Sequence, residues 1–387
     1  MRNLSRKLLL IVGLFGACLF APTVQGDDQT TMRIYIGTGG EKAKGIYTAV
    51  LDLATGQLSP AELAASAKRP GFLAVHPLDP TLIYAVGEIT DSSGKPTGGI
   101  SSFQRDRTTG QLTFLNAESS GGAGPCHVNV DATGKHVLVA NYSGGSIASL
   151  PILEGGRLGP ATSVIQHTGS SVNPQRQKEP HAHSINLDKA NRFAFAADLG
   201  LDQVLVYRFD SSSGKLSPNE PPFAKVTPGA GPRHFAFQPG GKFAYVINEI
   251  GNTVTTFQFD TAKGVLTPIQ EIGTLPEGFE GTSHTAEVVV HPTGKFLYGS
   301  NRGSDTIAVF AIDAGTGQLK AVSHHATGGK TPRNFVVDPT GRWLLAENQA
   351  SDTIVVFGID RESGRLKETG HSIDVPTPTC IRFAKQP

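Results

Sequence analysis

From about residue 33 onward, apolar and polar positions alternate in short runs bounded by Gly, Pro, Asp and Asn. A two-residue period in runs of this length predicts β-strands with one buried face. The runs themselves repeat. Pro232-Arg233-His234-Phe235-Ala236-Phe237 and Pro332-Arg333-Asn334-Phe335-Val336-Val337 open two copies of one template. Each copy continues through a Pro-x-Gly-Lys/Arg turn to Asn248 or Asn348, then a Thr-Val or Thr-Ile strand ending in Phe, then Asp and Gly-x-Leu. Further copies begin near Arg69, Gly124, Glu179 and Thr282, which makes six.

Each copy carries four alternating stretches and therefore predicts one four-stranded antiparallel sheet. The chain ends supply a seventh. Residues 33–58 match only the later part of the template, and Pro378-Thr379-Cys380-Ile381-Arg382-Phe383 matches only its first strand. The expected fold is an all-β, seven-bladed β-propeller with four antiparallel strands per blade, closed by pairing of the N- and C-terminal segments in one blade.

Composition narrows the picture. The chain has 387 residues, with 34 basic against 33 acidic side chains. That balance gives no electrostatic footprint for nucleic acid. The 46 Gly and 25 Pro are scattered, as many short turns require. Arg2, Arg6 and Lys7 precede an apolar run from Leu8 to Ala21, followed by Val24-Gln25-Gly26. This pattern predicts a secretory signal over residues 1–26 and a single propeller domain over 27–387, exported to the periplasm or outside the cell, without stable membrane insertion and as a monomer. With Cys18 inside the signal, Cys126 and Cys380 remain, too few for a disulfide framework.

Hairpin geometry places the start of each first strand and the end of each second strand at one mouth. Counting from the turns pairs 233 with 248, 333 with 348 and 286 with 301. It gives one ring of Phe72, Cys126, His183, His234, Glu287 and Asn334, and a neighbouring ring containing Arg233 and Arg333. The second strands bring Asp198, Asn141, Asn248, Asn301 and Asn348, followed by Glu249, Arg302 and Gln349. The recurring Asn residues read as strand-end turn formers. Glu249, Arg302 and Gln349 replace one another at one repeat position, a charge reversal that packing does not require. A cluster of His181, His183, Arg233, His234, Glu249, Glu287, Arg302 and Arg333 suits an anionic or oxygen-rich small molecule. The remaining histidines, His76, His136, His167, His291, His324, His325 and His371, read as surface residues. No Gly-x-Ser-x-Gly elbow supports serine catalysis.

Pro180-His181-Ala182-His183, Arg233-His234 with Asn248-Glu249, Ser300-Asn301-Arg302-Gly303, and Pro332-Arg333 with Glu347-Asn348-Gln349 resemble the seven-bladed propeller lactonases. That family includes propeller-type 6-phosphogluconolactonases and carboxymuconate lactonising enzymes. The resemblance implies hydrolysis of a sugar lactone, with cycloisomerisation as the secondary reading, at a site without metal or cofactor. It implies His183, Arg233, Glu249 and Arg302 as catalytic residues, the choice between His181 and His183 staying open. His181, His234, Glu287, Arg333, Asn348 and Gln349 are expected to bind substrate. Glu249 or His183 would take a proton from water while arginines stabilise the oxyanion and an anionic group. Two alternatives stand beside it: a calcium-dependent propeller lactonase using Asp198, Asn248, Glu249 and Asn301, and a non-catalytic binding propeller.

Overall fold

The computed structural model describes residue 1, residues 30–90 and residues 94–384. The expected leader therefore lies outside the described residues apart from its first. Among the described residues, no helix is long and apolar enough to cross a membrane.

Seven four-stranded antiparallel sheets follow one another around the ring. The first blade joins the two chain ends. Pro378–Ala384 pairs antiparallel with Thr31–Thr38, from Arg33 opposite Ala384 to Gly37 opposite Cys380, and Gly45–Asp52 and Glu62–Ser66 complete the sheet. Blades two to seven span residues 73–119, 125–166, 182–225, 232–273, 284–326 and 332–374. The blade count and the terminal closure match the sequence pattern.

Apolar positions on both faces of each blade pack against the adjacent blades. Phe243, Tyr245 and Ile247 of blade five meet Leu297, Ala308 and Phe310 of blade six. At the rim away from the mouth, polar ties repeat from blade to blade. The buried hydroxyls of Tyr35, Tyr245 and Tyr298 donate to the carbonyls of Gly110, Gly317 and Gly364 at 2.8, 2.9 and 2.9 Å, each in the turn of the next blade. These turns explain the recurring Asp-to-Gly spacing. Asp313 Oδ1 accepts from the amides of Gly315 and Thr316, and Gly317 closes the turn at φ +70°. A Cβ at Gly317 would lie 2.3 Å from the Phe243 ring, so both the left-handed backbone and the inter-blade contact exclude a side chain. The same device seals the ring, where Gly56 of blade one meets the Trp343 ring and Trp343 Nε1 donates to Leu53 O at 3.0 Å.

Four histidines expected at the surface are buried instead: His76, His136, His167 and His291. His76 and His291 bridge to the carbonyls of Gly134 and Gly341 in the following blade, both at 2.9 Å. His167 joins Asp198 at 2.6 Å and the Tyr207 hydroxyl at 3.0 Å. A turn position in sequence is thus an inter-blade position in the ring.

The mouth register also differs from simple hairpin counting. Pro232, not Arg233, pairs with Asn248; Pro332, not Arg333, pairs with Asn348; and Thr285, not Ala286, pairs with Asn301. The next pairs are His234 with Ile247 and Asn334 with Glu347. One extra residue therefore stands in a β-bulge at the start of the strand, and the same bulge occurs at Pro125/His127 and Ala182/Ser184. The bulged residues are Cys126, His183, Arg233 and Arg333. His234, Glu287 and Asn334 follow the bulge and align with His127, so the ring inferred from counting mixed two adjacent layers.

Candidate active site

A bulge re-aims a side chain that regular pleating would direct into a neighbouring blade. All four bulged residues line one cleft of ≈ 290 Å³ at the mouth, together with Arg69, Phe72, His234, Asn334, Gln349 and Thr379. A second cleft of ≈ 390 Å³ shares Cys126, His183 and Arg333 with the first and adds Tyr142, Arg176, Glu249 and Arg302.

Glu249 is the hub of the second cleft. Its side chain is buried, and three guanidinium groups converge on it: Arg176 at 2.7 Å, Arg302 at 2.9 Å and Arg233 at 3.0 Å. Burial pulls its carboxyl upward, but Arg302, Arg233 and Arg176 more than offset this and hold it at about 2. A carboxylate so committed is a weak proton acceptor. Each arginine is also fixed from a second side, Arg176 by the Tyr142 hydroxyl, Arg302 by Thr285 O and Arg233 by Ala286 O. The result is a rigid cationic wall around one anion.

Two buried imidazoles face this wall. Burial, followed by Arg233, His234 and Arg333, pushes His183 well below the usual histidine range, so its ring is neutral. Its Nε2 lies 3.9 Å from Glu249 Oε2, beyond hydrogen-bond reach. His234 lies beside it, with ring centroids 5.4 Å apart, and its Nδ1 contacts Glu287 Oε1 at 2.9 Å. Asn334 Nδ2 holds the other oxygen of Glu287. Cys126 Sγ lies 3.7 Å from His183 Nδ1, but burial pushes its thiol up to about 12, so it carries no thiolate nucleophile at neutral pH.

Other expected residues sit at the margin. His181 stacks on Tyr142 with ring centroids 4.6 Å apart and contacts Tyr142 O through Nδ1 at 3.0 Å, behind the cleft surface. Asn348 is buried and donates to Thr327 O at 3.0 Å, a strand-end tie rather than a cleft contact. Asn141 and Asn301 make the equivalent ties to Ser120 O and Thr274 O. Gln349 does line the cleft.

The oxygen set considered for calcium does not fit that ion. Glu249 is surrounded by three cations, and Asp198 is occupied by His167 and by the amides of His181 and Gly200. Asn301 Oδ1 accepts from the Thr274 hydroxyl at 2.7 Å, which leaves Asn248 Oδ1 as the one oxygen of the set without a partner among the described residues, too few for a cation that needs six or more oxygens. Among the described residues, no group of three or more His, Cys, Asp or Glu side chains comes together as metal ligands.

Comparison with known proteins decides the family. Residues 33–383 match the model described as "Lactonase, 7-bladed beta-propeller". The chain belongs to this lactonase family. Among its relatives is the 6-phosphogluconolactonase of Bacillus subtilis (strain 168), 36% identical over 355 residues, which cover 91% of this chain and 98% of that protein. A 6-phosphogluconolactonase of Formosa agariphila is 32% identical over 250 residues, 64% of this chain and 70% of that one. Among solved structures, the periplasmic gluconolactonase of Pseudomonas aeruginosa superposes with a TM-score of 0.85 at 32% identity, covering 92% of this chain and all of that one.

Within this lactonase the expected residues His183, Arg233, Glu249, Arg302, His234 and Arg333 do assemble at one mouth. Counting also brings Tyr142 to this mouth, at the repeat position of Glu249; sequence reasoning missed Arg176, Arg69 and His127. Arg176 lies in the connector 167–181, which is longer than the matching connectors 226–231 and 327–331 and has no counterpart in the repeat. That excess length was the available signal. His127 escaped because the bulge shifted the ring by one residue.

Proposed function

We propose that the mouth hydrolyses a sugar lactone. The observation that carries this reading is the Glu249 hub: three guanidinium groups held rigidly at one buried carboxylate, beside two neutral imidazoles, in a chain of the lactonase family. Ester hydrolysis needs donors that stabilise an oxyanion and a group that accepts a proton from water. Glu249 supplies neither directly. Its role is to hold Arg176, Arg233 and Arg302 at fixed positions, so that their remaining N–H groups meet the developing negative charge without reorganisation.

Arg333 lines both clefts and, among the described residues, has no carboxylate partner within 4 Å. A planar guanidinium in that state suits a carboxylate, phosphate or oxyanion of the substrate. His183 lines the same surface as a neutral hydrogen-bonding group. The charged segment before Leu8 supports export of the mature chain, as the name of the Pseudomonas aeruginosa relative places that protein in the periplasm. An exported chain, like that periplasmic gluconolactonase, is suited to an unphosphorylated sugar lactone, so glucono-1,5-lactone is put ahead of its 6-phosphate.

The test is the initial rate of acid release from each lactone by the purified protein at constant pH. Turnover of the unphosphorylated lactone at least as efficient as that of the phosphate ester is the expected result. Failure on both, with the fold intact by circular dichroism, would leave a binding propeller as the better account.

A further inference from the structure

Two neutral imidazoles line the cleft, yet only one is built as a base. We infer that His234, oriented by Glu287, accepts the proton of the attacking water and later returns it to the leaving oxygen; this rests on the lactone-hydrolysis reading above.

The argument begins at Glu287. This carboxyl is buried, with its first oxygen receiving the Val288 amide at 2.9 Å as well as His234, and its second receiving Asn334 Nδ2. Burial pulls it upward, but His234 and the Val288 amide outweigh that and keep it below the usual glutamate range. An ionised carboxylate can only accept. His234 Nδ1 therefore carries the hydrogen, and Nε2 is left with a bare lone pair. That nitrogen is buried and has no hydrogen-bond partner among the described residues, and its ring lines the ≈ 290 Å³ cleft.

A buried acceptor without a partner is costly unless something fills the place. A small shift of the ring that opens Nε2 to the cleft would let a water fill this place, and that water would be the nucleophile hydrolysis requires. Packing fixes the ring from the other sides: Phe72 and His127 contact it edge-on at centroid distances of 5.7 and 5.5 Å. His183 is packed edge-on by Tyr142 at 5.1 Å but has no carboxylate within hydrogen-bond reach to orient it: Cys126 Sγ lies 3.7 Å from its Nδ1, and the already committed Glu249 lies 3.9 Å from its Nε2.

The step balances as follows. The water oxygen bonds to the lactone carbonyl carbon as its proton moves to His234 Nε2, and the carbonyl π pair moves onto oxygen to form the oxyanion, held by the arginines. Collapse of the oxyanion breaks the bond to the ring oxygen, which takes the proton back from Nε2. A hydroxy acid results, and His234 is again neutral. Glu287 keeps its charge throughout and acts as a positioning residue.

The charged and titratable groups around His234 are Glu287, Arg233, Arg333, Arg382, His127 and His183. Burial, together with Arg233 and Arg333, outweighs Glu287 and sets the imidazole below its usual value of 6.5. The acidic limb of kcat should therefore fall below pH 6.5 and move lower still in Glu287→Gln, where the stabilising anion is lost.

The experiment uses the full purified chain with glucono-1,5-lactone. His234→Ala is expected to lower kcat by about 10²–10⁴-fold, with partial rescue by added imidazole. His183→Asn should act chiefly on KM and leave the acidic limb in place. A His234→Ala enzyme that keeps kcat within threefold, or a Glu287→Gln enzyme with an unmoved acidic limb, would overturn the inference while leaving lactone hydrolysis intact. Loss of lactone turnover in the unmutated protein would overturn both. Nitrogen-15 spectra of labelled histidine give a readout independent of activity: the Nδ1–H tautomer is expected for His234, and the Nε2–H tautomer would contradict it.

Discussion

The two rims of the ring use the same strands for opposite purposes. At the rim away from the mouth the blades are alike: a tyrosine hydroxyl reaches the next turn's glycine carbonyl at Tyr35, Tyr245 and Tyr298. At the mouth the equivalent positions diverge into Cys126, His183, Arg233 and Arg333, all on bulges and all lining a cleft. Repetition thus reports packing between blades, and divergence at a conserved backbone feature reports chemistry. Glu249 belongs to both accounts, since its carboxylate neutralises three half-buried or buried arginines while it aims them.

Substitutions at the two rims should separate these roles. Glu249→Gln has the largest expected effect: it leaves three guanidinium groups without their anion, and should cost about 3–5 kcal/mol of stability and at least about 10²-fold in kcat/KM. Denaturant unfolding and steady-state kinetics on the same sample measure both. If activity fell with no change in stability, the structural half of the Glu249 account would be wrong.

The acid response sharpens the same point. Glu249 sits at about 2 in the folded chain against an ordinary value of 4.5. Its folded value is depressed, so its contribution is fully present above about pH 4.5 and disappears as pH falls towards 2. That difference corresponds to roughly 3 kcal/mol. The stability gap between the unmutated chain and Glu249→Gln should therefore narrow between pH 5 and pH 3, as followed by thermal melts; a constant gap would contradict the ion-pair account.

Effects at the far rim are smaller and leave the chemistry alone. Gly317→Val must relieve the Phe243 clash and adopt a left-handed backbone, at a cost of about 1–3 kcal/mol, with kcat unchanged once folded. Tyr298→Phe removes one buried hydroxyl but leaves the Gly364 carbonyl without its donor, for about 1 kcal/mol. A change in kcat beyond twofold in Tyr298→Phe would show that the two rims are coupled.

How far the sequence carried this picture depends on the range of the interaction. The blades were legible because alternation and the Asp-to-Gly turns are local, and the terminal closure followed from the split template at residues 33–58 and 378–383. The site was legible as a group of residues, since Glu249, Arg302 and Gln349 break one repeat position. Its layering was not. A bulge adds one residue to one strand without a compositional mark, so hairpin counting placed Arg233 opposite Asn248 when Pro232 stands there. Arg176 was invisible for a different reason. It reaches Glu249 across 73 residues from a connector that no repeat describes. His76 and His291 were misread because burial between blades depends on the ring and leaves no local pattern.

The central claim, that the arginine wall assembled by Glu249 serves lactone hydrolysis, is tested most directly by one kinetic comparison. Initial rates of glucono-1,5-lactone hydrolysis would be measured in the presence of a chelator for the unmutated chain, Glu249→Gln and Tyr298→Phe, all confirmed as folded. The account predicts chelator-resistant turnover that Glu249→Gln loses and Tyr298→Phe keeps. Turnover that vanishes with the chelator, or that survives equally in Glu249→Gln, would contradict it.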